Sequence, residues 1–353
     1  MNHTTVAVDV AKSVFQLAVS EHPGHVGEHR RLTRAQLTRF FSNRAACTVL
    51  MEACGSSHHW GRQLEQLGHS VRLLPAHAVR PYVCRNKTDR ADAMALLEAA
   101  RKQDLRDVPL KSVAQQTLTA LHRLRSGWSA TRTARLNTVR GLLREFGFVI
   151  PLGPRQVVPH VGRLVEDADS GLPDVLRPAM DAACREILHL EQLIADVEAQ
   201  LKRLAPQIPG VSRLLTIPGI GLLTATALAA FVGDLRRFPT GRHFASYLGL
   251  TPREHSSGLT RRLGSISKRG DVYLRMLLIH GARSVLVAAS RMDAPDRLRT
   301  WALKLQASRG HNKATVALAN RLARIAWAVW CHQTDFAAGA GAGGPHAMED
   351  LAG

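Results

Sequence analysis

Carboxylates set inside apolar strand-like runs limit this chain more than any other feature. Thr5-Val-Ala-Val-Asp-Val10 alternates small and β-branched residues as a strand does, and it carries Asp9. A second run, Cys47-Thr-Val-Leu-Met-Glu52, ends on Glu52. An ionised carboxylate within a buried strand is costly unless a cation compensates it, and a divalent metal is the simplest compensation.

Around these runs, residues 4 to about 104 alternate strand and helix signals. Val14 to Val19 reads as a strand returning antiparallel through Ala11-Lys-Ser13, and a further short strand follows near 26–31. A helix over 33–43, the Glu52 strand, a helix over 56–67 and a strand over 69–74 complete a sheet covered by helices. Lys87-Thr-Asp-Arg-Ala-Asp92 then opens a helix, with Thr88 as N-cap. Asp89, Asp92, Ala93, Leu96 and Ala100 share one face of it. Alone, two acids in a first helical turn are ordinary partners of the helix dipole. His58 and His59 are adjacent, so they point to different sides and read as surface or hinge residues.

Lys and Arg number 47 against 28 Asp and Glu, a formal charge of +19. That excess points to a polyanion, nucleic acid first. No signal-peptide or lipidation pattern is expected at the Met1 end, and no membrane role. The uncharged window from Leu214 to Gly233 is broken by Pro218-Gly-Ile-Gly221, too early to make a span. Five cysteines without a C-x-x-C pair suggest neither a zinc ribbon nor a disulfide framework, and a reducing cytoplasm is expected.

From Lys111 to about Pro206 long helices take over. Val113, Thr117, Leu121, Leu124 and Trp128 predict one stripe, and Leu136, Val139 and Leu143 resume it. Leu176, Met180, Ala183, Ile187, Leu190, Ile194, Val197 and Leu201 predict a second. An antiparallel pair, or a coiled coil shared between subunits, would bury both. The first helix carries Arg123, Arg125, Arg132, Arg135, Arg140 and Arg144, either a solvated face or a lining for a phosphate backbone.

Residues 211 to about 334 read as helical with no convincing strand. Pro218-Gly-Ile-Gly221 between two helices is similar to helix-hairpin-helix modules, in which glycines such as Gly219 and Gly221 let backbone N–H groups approach a phosphate; a tight turn between core helices is the alternative. The stretch from Gly249 to Arg275 is a Gly/Ser-rich basic loop running into a helix, suited by composition to hold a phosphate. Trp327 and Trp330 read as core, and the Ala/Gly run from Phe336 onward as a flexible tail.

Asp9 in a first strand, Glu52 at the end of a middle strand and Asp89 with Asp92 on a closing helix resemble the D-E-D-D quartet of RuvC-like, RNase H-fold nucleases. Within that group, Lys87-Thr-Asp-Arg-Ala-Asp-Ala93 resembles the N-terminal domain of DEDD insertion-sequence transposases, the Piv/MooV-like family of bridge-RNA-guided recombinases. Ser257-Gly258 followed by Gly264-Ser-Ile-Ser-Lys-Arg-Gly270 is similar to that family's C-terminal domain.

The resemblance implies an α/β RNase H-like (RuvC-like) domain over 1–108, a long-helix coiled-coil region over 109–206, an all-α domain with a helix-hairpin-helix-like motif over 207–334, and a tail over 335–353. It implies two Mg²⁺ ions, with Mn²⁺ possible, held by Asp9, Glu52, Asp89 and Asp92; hard cations prefer such oxygen donors. The catalytic serine maps to Ser257, with Ser256 as the fallback, and Arg261, Arg262, Lys268 and Arg269 would clamp the phosphate. Ser257 would attack a DNA phosphate to give a phosphoserine link, reversed on an exchanged strand. Expected partners are DNA (element ends and target), a guide RNA from the element, and further copies of the chain through the long helices. The expected location is the bacterial cytoplasm, with the nucleoid when bound. The rival readings are a RuvC-like junction resolvase, in which Ser257 only binds phosphate, and a non-enzymatic nucleic-acid binder.

Overall fold

The computed structural model describes residues 4–22, 25–83, 89–102, 105–258 and 260–337, with 89 and 90 described by their backbone alone. The chain divides into two compact units, Met1–Ala114 and Gln115–Gly353.

The first unit is a five-stranded sheet: β1 (Thr5–Val10), β2 (Val14–Ser20), β3 (Glu28–Thr33), β4 (Thr48–Glu52) and β5 (Ser70–Leu74). Their spatial order is β3-β2-β1-β4-β5. β1, β2 and β3 pair antiparallel, while β4 runs parallel to both β1 and β5. Helices α1 (Arg34–Ser42) and α2 (Ser57–Gln66) cover one face. There Val6, Val8, Phe15, Leu17, Val49 and Met51 pack with Leu37, Phe41, Trp60 and Leu64. The short α3 (Ala76–Val79) precedes α4 (Asp89–Ala100), which lies on the other face. Ala7 and Ala18 are small enough to let Ala93, Leu96 and Ala99 of α4 pack close against them, beside Leu50 and Leu74. Each fully buried Leu or Phe stabilises this sandwich by about 1.5–3 kcal/mol. A capping box between Thr33 and Gln36 fixes where β3 ends and α1 begins. The mixed order expected from the sequence is therefore the order found. The expected Thr88 cap lies outside the described residues.

The second unit opens with α5 (Val113–Glu145), whose first two residues belong to the first unit, then α6 (Val157–Glu166) and α7 (Arg177–Leu204). Leu136, Val139 and Leu143 of α5 pack on Met180, Cys184 and Ile187 of α7, and Leu118 packs on Val197 and Leu201. The two long helices are thus antiparallel. The α7 seam falls where its spacing predicted, with Cys184 buried beside it. The first half of α5 follows its predicted stripe only at Leu121 and Trp128, which pack against the core. Val113 and Leu124 are exposed, and Leu118, Thr119 and His122 are buried instead. Hydrogen bonds choose that face: Thr119 Oγ1 donates to the carbonyls of Gln115 and Ala230, and His122 is held at both ring nitrogens.

The arginine-rich face is largely consumed within the unit. Arg125, Arg132 and Arg135 pair with Glu198, Glu191 and Glu186 of α7, and Arg140 donates to the carbonyls of Ile150, Pro151 and Gly153. Three of these guanidiniums tie α5 to α7, and the fourth ties α5 to the loop that follows it.

The remaining helices are α8 (Val211–Leu214), α9 (Leu222–Ala227, continued by one π turn), α10 (Gly241–Tyr247), α11 (Val272–Ala289), α12 (Arg297–Arg309) and α13 (His311–His332). The all-α expectation needs correction here, because β6 (Pro252–Glu254) and β7 (Leu263–Ile266) form an antiparallel hairpin between α10 and α11. By length and composition α11 could span a bilayer, yet its Leu274, Leu278, Ala282 and Leu286 sit in the core with Leu318 and Leu322 of α13. Trp327 and Trp330 pack against that core, as expected, and their indole N–H groups donate to Phe238 O and Asp234 Oδ1.

Candidate functional site

Two clusters of reactive side chains, one in each unit, come from the residues singled out above. In the first unit the register of β1 on β4 places Val8 opposite Met51, so Asp9 and Glu52 follow side by side at the ends of adjacent parallel strands. Residues two apart share a sheet face. Asp9 therefore lies on the side of Ala7, and Glu52 on the side of Leu50, which is the side α4 covers. Both acids are half-buried. Their nearness shows in Cys54, just past β4, whose thiol is pushed up by burial, then by Glu52, then by Asp9. Cys54 is a neighbour of the acids that sequence reading did not find, although its position two residues after Glu52 was the available signal.

Asp92 sits half-buried in the first turn of α4, four residues before the buried Leu96. Asp89 begins the same helix, and its side chain lies outside the described residues. The carboxylates of Glu52 and Asp92 have no hydrogen-bond or ion-pair partner among the described residues. Half-buried carboxylates without a cationic side chain suit a hard divalent ion. Among the described residues, however, no three His, Cys, Asp or Glu side chains come together as a finished metal cage. His58 is half-buried: its Nδ1 accepts from Lys111 N–H at 3.2 Å, and burial, with Lys111 and Arg62, pulls its pKa to about 4.

In the second unit Ser257 lies near the tip of the β6–β7 hairpin. Its backbone N–H and C=O are both paired with Thr260, around Gly258 at φ +56°. The two serines of the dipeptide differ sharply. Ser256 Oγ donates to Glu254 Oε1 at 2.7 Å and accepts from Arg262 N–H at 3.2 Å, whereas the Ser257 hydroxyl has no partner among the described residues. Arg261 and Arg262 are exposed on the returning strand beside it, whereas Lys268 and Arg269 are exposed at the base of the hairpin; among the described residues, Arg261 approaches an acid, Glu254 at 3.5 Å.

The base of the hairpin is rigidly placed. A Cβ on Gly270 would strike the backbone of Tyr247 and Leu248, and one on Gly249 would meet the amides of Arg269 and Gly270. Arg275, part of the basic run in the sequence, is buried and donates to the carbonyls of Leu248 and Gly270. It is a strut, not a phosphate ligand. Lys268 takes a left-handed conformation, φ +55°, and its N–H donates to Gly249 O.

Of the two turn glycines, Gly219 is explained by packing. It has φ +83°, and its carbonyl lies where a Cβ on Gly281 of α11 would have to go. Gly221 is exposed ahead of α9, with open space where a side chain would be. The turn is thus a close crossing of core elements at Gly219, and only Gly221 faces outward.

Comparison with known proteins places both clusters in one context. A DEDD-type transposase model matches residues 6–148, and the model described as "Transposase IS116/IS110/IS902 family" matches residues 211–297. The probable family 20 transposase of Pseudomonas aeruginosa is 44% identical over 96% of this chain and 100% of its own length. The transposase for insertion sequence element IS1111A of Coxiella burnetii is 38% identical, covering 95% of this chain and 92% of its own. The pilin gene-inverting protein of Moraxella lacunata is 26% identical over 93% of this chain and 96% of its own.

Proposed function

The chain belongs to the IS116/IS110/IS902 family of transposases, and from that premise we propose that it exchanges DNA strands through a serine nucleophile, Ser257, and a divalent-metal site built from Asp9, Glu52, Asp89 and Asp92. Divalent metals are typical of DEDD transposases. Here Mg²⁺, or Mn²⁺ in its place, would stabilise charge on the attacking and leaving oxygens of a phosphodiester. Glu52 and Asp92 suit that role because nothing else among the described residues neutralises them.

The free hydroxyl of Ser257 carries this reading. In the proposed step Ser257 Oγ loses its proton and bonds to the phosphorus of one DNA strand. The bond from phosphorus to the 3′ oxygen breaks, and that oxygen leaves as a 3′-hydroxyl. Reversal on a 3′-hydroxyl from the exchanged strand restores the phosphodiester and the serine, so no nucleotide is consumed. Arg261 and Arg262 would hold that phosphate by charge-assisted hydrogen bonds, Lys268 and Arg269 at the hairpin base would hold phosphates farther along the strand, and Gly221 leaves room for backbone to approach another. Target choice is assigned to an element-encoded guide RNA, which is consistent with the formal charge of +19.

Ser257→Ala and Ser256→Ala separate the alternatives. The first should abolish both strand exchange and the covalent protein–DNA adduct, by roughly 10⁶-fold as for other covalent nucleophiles. The second should keep the adduct. If Ser257→Ala loses exchange but still cuts with water, the chain is a resolvase that uses Ser257 only to bind. Sequencing RNA that copurifies with the protein tests guidance: RNA loops must match the two DNA sites being joined.

A further inference from the structure

A second concentration of positive charge lies in the same unit as the hairpin, centred on α13 beyond the residues 211–297 that the family model matches. Arg321 and Arg324 stand one helical turn apart on α13, and Arg297 begins α12. Burial pushes the Arg321 guanidinium below its ordinary value, and the charges of Arg324 and then Arg297 add to that shift. The Arg321 guanidinium lies 4.6 Å over the ring of Trp301, and its Nε is buried without an acceptor.

Among the described residues no carboxylate pairs with Arg297 or with Arg321. The acid next to Arg297, Asp296, is engaged with Arg299 and caps α12. Neither Arg297 nor Arg321 has an ion-pair partner among the described residues. Elsewhere in the unit the pattern is the reverse, since Arg125, Arg132 and Arg135 each meet a glutamate. Arg297 and Arg321, like charges near each other with no acid paired to either among the described residues, weaken the fold rather than support it.

We propose that Arg297 and Arg321, the latter held in place by Trp301, form a second phosphodiester-binding site on α12 and α13, which takes the backbone of a nucleic acid. A guanidinium stacked on an indole presents its N–H edge outward in a set direction, which suits the oxygens of a phosphate. The proposal depends on the family's action on DNA, but on neither Ser257 nor the acidic cluster.

The test uses the full-length chain with Arg321→Met, which keeps a long apolar stem on Trp301 and removes the charge. Binding to duplex DNA and to single-stranded RNA, each of arbitrary sequence, is measured against salt concentration, together with the melting temperature. Loss of one backbone contact should lower the slope of log K against log salt by about one and weaken binding evenly across sequences. The polymer whose slope changes identifies the source of the phosphate. Arg321→Lys should retain most of the slope. Arg297→Gln, at an exposed position, should reproduce the loss without touching the core. Melting should be unchanged or raised in Arg321→Met, because repulsion is relieved. Wild-type slopes on both polymers overturn the proposal, and so does a lowered melting temperature, which would make the cluster part of the fold. Ser257→Ala affects neither readout, so failure of the serine chemistry leaves this result independent.

Discussion

Asp9 and Glu52 lie at the ends of two neighbouring parallel strands whose interior residues are almost wholly buried, whereas Ser257 stands a few residues past a three-residue strand with every described chain neighbour exposed. In the first place the backbone ladder and packing on both faces fix where the carboxylates point. In the second, fixed geometry is confined to the base of the hairpin, where Gly249, Gly270 and Arg275 leave the backbone no room, and the tip is left to solvent. The acids therefore sit in a rigid frame, while the serine does not. A site for charged ligands can be paired with either kind of scaffold, and here each kind serves one role.

The largest effect expected from breaking this contrast is at Glu52. Glu52→Gln keeps the strand and removes the charge, so strand exchange should fall by roughly 10²–10³-fold or more. The melting temperature should hold or rise, and the Cys54 thiol should titrate at lower pH, as a thiol-reactivity profile would show. Lost activity with lost stability would mean that Glu52 serves the sheet instead.

Next in size is a pH effect confined to the second unit. His122 is buried against Tyr273 Oη and Thr226 Oγ1, each at 3.0 Å, and burial, then Arg125, pulls its pKa to about 4. A histidine whose folded value lies below its unfolded value of about 6.5 resists protonation in the fold. Its contribution is complete above about pH 6.5 and is lost as pH falls toward about 4, approaching roughly 3 kcal/mol. Melting followed from pH 7 to pH 4 should show that loss, and His122→Gln, which keeps hydrogen-bonding ends but does not titrate, should flatten it. His58 acts in the same direction in the first unit, so the two units should be followed by separate probes.

The smallest effect is at the hairpin base. Gly270→Ala must displace backbone at Tyr247 and Leu248, at a cost of about 1–3 kcal/mol. Melting should register that loss, and strand exchange should fall with it, by less than in Glu52→Gln. Unchanged melting would show that the base yields, and the contrast between a rigid frame and a hairpin fixed only at its base would fail.

Much of the first unit was legible because period-two alternation survives in β1, β2 and β4, whose apolar residues enter two opposed cores. The α7 seam was legible for the same reason at period 3.6. The β6–β7 hairpin was not: Pro252-Arg-Glu254 and Leu263-Gly-Ser-Ile266 are short and mostly exposed, so no apolar pattern marks them. The first stripe of α5 was misphased because Thr119 and His122 are buried for their hydrogen bonds, which hydrophobic spacing does not register. The arginines of that helix looked free only because their glutamates lie some fifty to seventy residues away on α7.

From its residue order alone, this chain set its strand phases, its long helices and the kinds of side chain available for chemistry, since each depends on neighbours within a few positions. Which glutamate meets which arginine, which serine hydroxyl stays free, and which glycine is a packing contact were decided only in three dimensions. Those outcomes depend on contacts between segments far apart in the chain, and no local pattern encodes them.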